Sequence, residues 1–313
     1  MFATEFVCTM KGRSGSALLK CSTGHFYVAK CQEFTVSNQA LGVAFLARNL
    51  ARYVGLPVPE VEVIEVDQWL LDHSPEMSRT ATAPWLGSQS QDVRWSVPGF
   101  HRRKKGGSQL GSRYLVEPGQ GTIFSYFPEN MLYKVRNPEA FAGILAFDMW
   151  MNKTDARRAL LWRNRTESQY DVAFVDVQVC LLPSEFSSGD RALDSTGVGL
   201  YAHKAVYRHL TKWDDFEPFL GRIERLSGET IAGIAAQIPE CWRETNNKIP
   251  ALVRVLDERR SVVRDLLAQY LVSNRDTFPS WGNEAPAGNR KPTRRTHDLE
   301  MGEKWLSMNQ GRG

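Results

Sequence analysis

The sequence predicts an α+β fold, with a β-rich N-terminal part and a mostly helical C-terminal part, on three observations. Residues 4–30 alternate apolar and polar in the manner of strands, and the chain after Asp190 carries its apolar residues mainly at helical spacing. The 313 residues, 42% hydrophobic and 24% charged, have an ordinary globular composition and are enough for two lobes that share a cleft.

The elements follow in order. Phe6 and Cys8, Leu18 and Lys20, then Phe26, Val28 and Lys30 alternate around Gly12, Gly15 and the turn Ser22-Thr23-Gly24. They describe a glycine-containing hairpin and a further strand that ends on Lys30. Ser37 is placed to cap a helix bearing Val43, Leu46, Ala47, Leu50 and Val54, closed by Gly55 with Pro57 beyond it. Val61, Val63, Ile64 and Val66 make the next strand. Residues 73–111 are rich in Ser, Thr, Gln, Gly and Pro and read as a long mobile loop, with order returning over 112–116. The positive run Arg102, Arg103, Lys104 and Lys105 in that loop reads as a solvated surface, or else as an attractor of phosphate or an acidic partner.

Asn137-Pro138 marks a helix start, and Phe141, Ile144, Leu145, Asp148 and Met151 lie on one face of that helix. Ala159 to Arg163 and Val172 to Val179 form a hairpin, and helices are expected over 203–210, 214–226, 228–238 and 249–272. The expected organisation is an N-terminal lobe over 1–135, a C-terminal lobe over 136–274 and a loosely ordered tail over 275–313, where Gly, Pro, Asn and Arg prevail.

Composition excludes several classes. A net charge of +4 argues against a wholesale nucleic-acid binder, while permitting an anionic ligand. The five cysteines, at 8, 21, 31, 180 and 241, have neither a disulfide framework nor metal-ligand spacing, which suits reduced thiols in a cytoplasm. Nothing approaches the run of about 18 apolar residues that a spanning helix needs, and Met1 to Thr9 lack the marks of a signal peptide. The expectation is a cytoplasmic protein without a membrane partner. Trp150, Trp162, Trp213 and Trp242 read as core residues. His203 and His209, six apart, do not share a helix face and make no metal site.

Phosphoryl transfer needs a cradle for phosphates, a cation to grip them, a carboxylate to orient the attacking hydroxyl and another to hold magnesium. The chain offers one candidate for each. Gly12, Arg13, Ser14, Gly15 and Ser16 lie between two strands, where small residues let backbone N–H groups approach an anion, though a plain hairpin turn reads equally from the same residues. Lys30 ends the following strand, within reach of such a loop. A helix ends near Asn152, and Asp155 opens the loop before the hairpin. Asp176 follows three apolar residues at the end of a strand, where an unpartnered carboxylate is rarely tolerated. The bland alternative for both aspartates is a turn cap or an ion pair with Arg157 or Arg158.

Several ordered blocks carry a family resemblance over roughly 12–272. They are Tyr27-Val28-Ala29-Lys30; Leu50-Ala51-Arg52 with Gly55-Leu56-Pro57-Val58-Pro59; Gly111-Ser112-Arg113-Tyr114; and Asn137-Pro138 with Phe141-Ala142-Gly143-Ile144-Leu145. Phe147-Asp148 with Asn152, Thr154, Asp155 and Arg157, then Phe174-Val175-Asp176, Gly199-Leu200-Tyr201-Ala202, Val206-Tyr207, Phe216-Glu217-Pro218 and Ile238-Pro239 complete the set. On these residues the chain resembles the HipA-like kinase domain family. The resemblance implies a two-lobed protein-kinase-like fold, with Lys30 on the nucleotide phosphates, Asp155 as the base-like residue, Asp176 as the metal ligand, and Asn152, Arg157 and Arg158 in support. The chain departs from that pattern at Ala44, where a glutamate partner of the lysine is expected, at Leu160, where an asparagine ligand is expected, and at Gln178, where a glycine is expected.

The function expected is an ATP-dependent phosphotransferase using Mg2+ and acting on a hydroxyl acceptor, such as a protein Ser or Thr. The rival is a catalytically silent kinase-like module that binds nucleotide or a partner protein. A nucleic-acid adaptor using Arg102 to Lys105 is a third class, resting on four residues.

Overall fold

A computed structural model of the chain describes residues 1–10, 16–33, 38–73, 104–126, 128–177, 198–243 and 248–282. The alternating N-terminal residues form strands β1 (Ala3–Thr9), β2 (Ala17–Cys21) and β3 (Phe26–Glu33), followed by helix α1 (Asn38–Tyr53), strand β4 (Val61–Val66) and a short helix α2 (Gln68–His73). Strand β5 (Lys104–Arg113) inserts between β3 and β4, giving a five-stranded sheet in the order β1-β2-β3-β5-β4 with antiparallel neighbours throughout.

That strand corrects the loop expected to run to 111. The Gly-Gly-Ser-Gln-Leu-Gly sequence lacks the β-branched residues that signal a strand, yet its backbone is paired on both edges, Leu110 facing Lys30 and Val63. Glycine is needed for the close approach, because a Cβ at Gly111 would press on the Ile64 side chain and lie 3.4 Å from that of Tyr27. Residues 74–103 lie outside the described residues, as do Arg102 and Arg103 of the basic run.

The C-terminal part is built on helix α3 (Ala140–Met151), every residue of which is buried. A helix apolar on all sides must be covered on all sides. Around it lie a three-stranded antiparallel sheet, in the order β6 (Gly121–Phe124), β7 (Arg158–Asn164), β8 (Asp171–Val175), and helices α4 (Glu217–Arg225), α5 (Gly228–Ala236), α6 (Ile249–Arg260) and α7 (Val263–Ser273). Asn137 stands ahead of α3 rather than capping it. Its amide exchanges hydrogen bonds with the backbone of Val172, donating to the carbonyl and accepting from the N–H, which ties the helix entry to β8.

Three helical expectations are shortened. Of 203–210 only the 3-10 turn Lys204–Tyr207 is helical, 214–226 divides into the turn Trp213–Asp215 and α4, and 249–272 breaks between α6 and α7. The tail is also corrected, because residues 275–282 dock. Phe278 and Trp281 are buried, with Phe278 against Tyr207 and Trp281 against Trp213 and Phe216. Residues 283–313 lie outside the described residues.

Packing does not divide at the expected boundary. Helix α1 shares one continuous core with α3 and the C-terminal helices, while the opposite face of the large sheet has a small core of its own: Ala17, Leu19, Cys21, Tyr27, Ala29, Ile64, Val66 and Leu71. Trp242 holds the junction. Its ring meets Phe45 of α1 edge to face at 6.1 Å, and its indole N–H donates to the Ser108 carbonyl of β5 at 3.1 Å. At the other end of α1, the Arg222 guanidinium donates to the Val54 carbonyl at 3.0 Å, where a cation also complements the helix C-terminus.

Candidate active site

The loop after α3 is held by a reversal of the backbone. Asn152 takes the left-handed conformation at φ 51° and ψ 42°, and its N–H returns to the carbonyls of Asp148 and Met149. From below, the buried Arg259 guanidinium of α6 donates to the Met149 and Trp150 carbonyls, supplying partners and positive charge to the end of α3.

Beyond this cap the chain emerges. The Asp155 side chain is 78% exposed and lies 3.9 Å from the ammonium of Lys153, which is itself buried and donates to the Asp155 carbonyl at 3.3 Å. Segment 198–201 lies along the loop: Gly199 donates its N–H to the Lys153 carbonyl at 2.8 Å, and Arg157 donates its own to Leu200 at 3.1 Å. A side chain at Gly199 would collide with the Asp155 carbonyl and come within 2.9 Å of the Ala156 nitrogen. The loop bearing Asp155 thus admits only glycine there.

Asp176 follows β8 at φ 56°, a strained left-handed conformation for a residue with a Cβ. Its carboxylate is 32% exposed and sits 3.6 Å from the Arg158 guanidinium. Arg157 joins the two segments. Fully buried, it grips the Asp148 carboxylate with two donors, one at 2.7 Å, and donates to the carbonyls of Val175 and Asp176 at 3.3 and 3.5 Å. Burial pushes the Asp148 carboxyl above its ordinary value, opposed by the attraction of Arg157 and Lys153. The alternative of an ion pair with Arg157 or Arg158 holds for Asp176, which lies beside Arg158, and is corrected for Arg157, whose carboxylate partner is Asp148; Asp155 is nearest Lys153.

The N-terminal candidates are placed in part. The Lys30 backbone lies in β3 opposite Leu110, beside a register shift between Lys30 and Gln32. Ser16 is buried and its carbonyl accepts from Met10 at 2.7 Å, which closes the β1–β2 connection, while Gly12, Arg13, Ser14 and Gly15 lie outside the described residues, as does Gln178. Ala44 is buried in the core, and Leu160, half-buried, pairs with Ala173.

One residue escaped sequence reasoning. Arg48, one turn beyond Ala44 on α1, is only 5% exposed and donates to the Ser112 hydroxyl of β5. Burial pulls its guanidinium down to about 10, still charged at neutral pH, against the attraction of Asp176. The signal was present as one of two arginines, with Arg52, among the apolar residues from Val43 to Val54.

Among the described residues, no three His, Cys, Asp or Glu side chains cluster as a metal site. The Asn152 side-chain oxygen is a buried acceptor without a hydrogen-bond partner. A separate cavity of about 450 Å³ opens behind α1, lined in part by Arg52, Pro57, Glu60, Asn137 and Phe219, and none of the candidate residues lines it.

The chain is thus α+β, with an antiparallel β-rich N-terminal part, a mostly helical C-terminal part, and Asp155 and Asp176 presented from a post-helical loop and a strand end. Residues 7–98 match the family model described as HipA-like kinase, in agreement with the resemblance read from the sequence. No curated protein matches the chain. Among solved structures, it is similar to the Helicobacter pylori proinflammatory kinase CtkA, at 13% identity over 87% of this chain and 98% of that one, with a TM-score of 0.49. It is also similar to the Golgi casein kinase with Mn/ADP bound, at 11% identity over 86% and 74% of the two chains and a TM-score of 0.47. A chain of the Shewanella oneidensis MR-1 toxin antitoxin system HipA, HipB and operator DNA complex aligns at 10% identity, over 86% of this chain and 67% of that one, with a TM-score of 0.39. No helix among the described residues is long and apolar enough to cross a membrane.

Proposed function

We propose that the chain is an ATP-dependent phosphotransferase that moves the γ-phosphoryl group to a hydroxyl acceptor, a protein Ser or Thr being the expected kind. The observation that carries this reading is the placement of the two aspartates: Asp155 exposed in the loop beside Lys153, and Asp176 at a strand end whose backbone accepts from the buried, Asp148-paired Arg157. An exposed carboxylate is free to accept a hydrogen bond from an incoming hydroxyl and orient its oxygen for in-line attack. Lys30 is assigned to the phosphates and Asp176 to the divalent ion, which when bound supplies charge neutralisation across the phosphate oxygens. Asn152 supports the loop through its cap, Arg157 through the ion pair, and Arg158 through its contact with Asp176.

The rival reading, a catalytically silent nucleotide-binding or protein-interaction module, is favoured by Leu160, whose side chain cannot ligate a second metal. Incubation with γ-labelled ATP and Mg2+ separates the two. Label transferred to the protein or to a candidate acceptor, and abolished by Asp155→Asn with nucleotide affinity nearly unchanged, supports the enzyme. Nucleotide binding without any transfer supports the silent module.

A further inference from the structure

The cavity behind α1 has no part in the site described above. Its wall includes the buried apolar residues Leu56, Ala140 and Phe219, and Arg52, Glu60 and Glu139 also line its volume of about 450 Å³. Arg52 donates to the Glu60 carboxylate at 3.0 Å and Arg113 donates to it at 3.2 Å, so those charges are matched. Arg222, beside Gly55, is engaged by the Val54 carbonyl. Glu139 is exposed and has no ion-pair partner among the described residues. An apolar wall beside an unpaired carboxylate fits a cation on an aliphatic stem, whose methylenes cover the wall while its head meets the carboxylate. The arginine or lysine side chain of a polypeptide is such a group.

The chain's own C-terminal segment sets out from beside this cavity. Its last described residues are seated at the start of α4: Trp281 packs on Trp213 and Phe216, and Gly282 donates its N–H to the Thr211 carbonyl at 3.1 Å. Phe219, in the cavity wall, is one turn beyond Phe216 and donates its N–H to the Phe216 carbonyl at 3.0 Å. From Gly282 to Arg295 the sequence holds a single acid, Glu284, and then a run with the cations Arg290, Lys291, Arg294 and Arg295. Arg290 is eight residues beyond Gly282. At about 3.3 Å per extended residue that length reaches up to about 26 Å, several times the rise of one helical turn.

We infer that this cavity is the docking site of the basic segment Arg290 to Arg295 of the same chain, with one of its cations on Glu139 and the stem of that side chain over Leu56 and Phe219. A single exposed ion pair is weak, but a tethered partner is present at about millimolar effective concentration, so a contact of only millimolar strength is half occupied. The docked segment abuts two supports of β8. The Pro57 carbonyl accepts from the Phe174 N–H at 2.8 Å, and Asn137 exchanges hydrogen bonds with Val172, both residues being part of the cavity wall. None of this depends on phosphoryl transfer.

The test is hydrogen–deuterium exchange read by mass spectrometry on the full chain, following the amides of 54–60 and 137–143. In the native chain these are expected to exchange at least about threefold more slowly than in a full-length variant carrying Arg290→Ser, Lys291→Ser, Arg294→Ser and Arg295→Ser. Glu139→Gln keeps the shape of the side chain, removes its charge, and is expected to lose the same protection. Combining all five substitutions should lose no more than either set alone, a coupling that a separate loosening of α3 would not produce. Exchange that neither variant alters overturns the proposal. Loss of protection in only one of the two variants also overturns it, because the segment and Glu139 are then not partners. Protection that fades as the native protein is diluted assigns the contact to a second copy of the chain and overturns docking within one.

Discussion

Asp148→Ala gives the sharpest test of how the site is supported. In the native chain the Arg157 and Asp148 side chains are 0% and 2% exposed, so removing the carboxylate leaves a guanidinium buried without its anion. Breaking such a pair from one side costs about 3–5 kcal/mol, a large part of the stability of an ordinary domain. Replacing both partners with apolar residues, Asp148→Leu with Arg157→Met, removes the unpaired charge and is expected to return stability to within about 1 kcal/mol of native, or above it. Activity should not return with it. Arg157 also donates to the Val175 and Asp176 carbonyls, and the double variant loses those bonds to the backbone that carries Asp176 in its left-handed conformation. A displacement of about 1 Å at a reacting group lowers rate on the order of a hundredfold. Urea denaturation followed by tryptophan fluorescence reads the first effect, and transfer from γ-labelled ATP reads the second. A double variant that is stable and transfers phosphate at the native rate would refute the claim that this pair positions the aspartates.

Gly199→Ala is expected to cost about 1–3 kcal/mol through overpacking against the Asp155 backbone and to lower phosphoryl transfer more than nucleotide affinity; equal turnover in both chains would show that the contact is not needed. A chain ending at Asn274 loses Phe278 and Trp281, each worth about 3–5 kcal/mol if truncated to alanine in a core, and should lose its cooperative transition, whereas a chain ending at Gly282 should keep it. Identical melting of the two would remove residues 275–282 from the core. ATP with Mg2+ at about a hundredfold excess over Kd should stabilise the native chain by about 2.7 kcal/mol, and Lys30→Ala and Asp176→Ala should each reduce that gain, the latter together with its Mg2+ dependence. No thermal shift at millimolar nucleotide would count against the whole site.

What could be read from the sequence was whatever repeats with a short period. The alternation around Phe26 and Val28 and the stripe Val43 to Val54 marked β3 and α1 because burial on one face leaves a pattern in the residues. Strand β5 left none. Its Lys-Lys-Gly-Gly-Ser-Gln-Leu-Gly-Ser-Arg segment gains its place from hydrogen bonds on both edges and from the room its glycines leave, which are properties of the neighbours. The tail was misjudged for a related reason: composition averaged over 275–313 hides Phe278 and Trp281, whose burial docks residues 275–282. At the site, Asp155 and Asp176 fall on the loop and strand end where the sequence put them. The partner of Arg157 could not be read, because Asp148 counts as one more member of a helix face until the hairpin folds back over it.

The division of the cores bears on how such a cleft can work. The large sheet keeps a small core on the face turned away from α1, and through Val61 and Leu110 it also joins the core that α1 shares with the C-terminal helices. Apolar burial of that extent resists separation, at about 25 cal/mol per Å² removed from water, whereas single polar contacts contribute about 1 kcal/mol each. Two polar contacts described above join the sheet to what lies beneath it, the Arg48–Ser112 and Trp242–Ser108 hydrogen bonds, and both end on β5. The apolar packing of Leu110 and Val61 adds to these bonds, so β5 and β4 are tied to α1 by more than polar contacts.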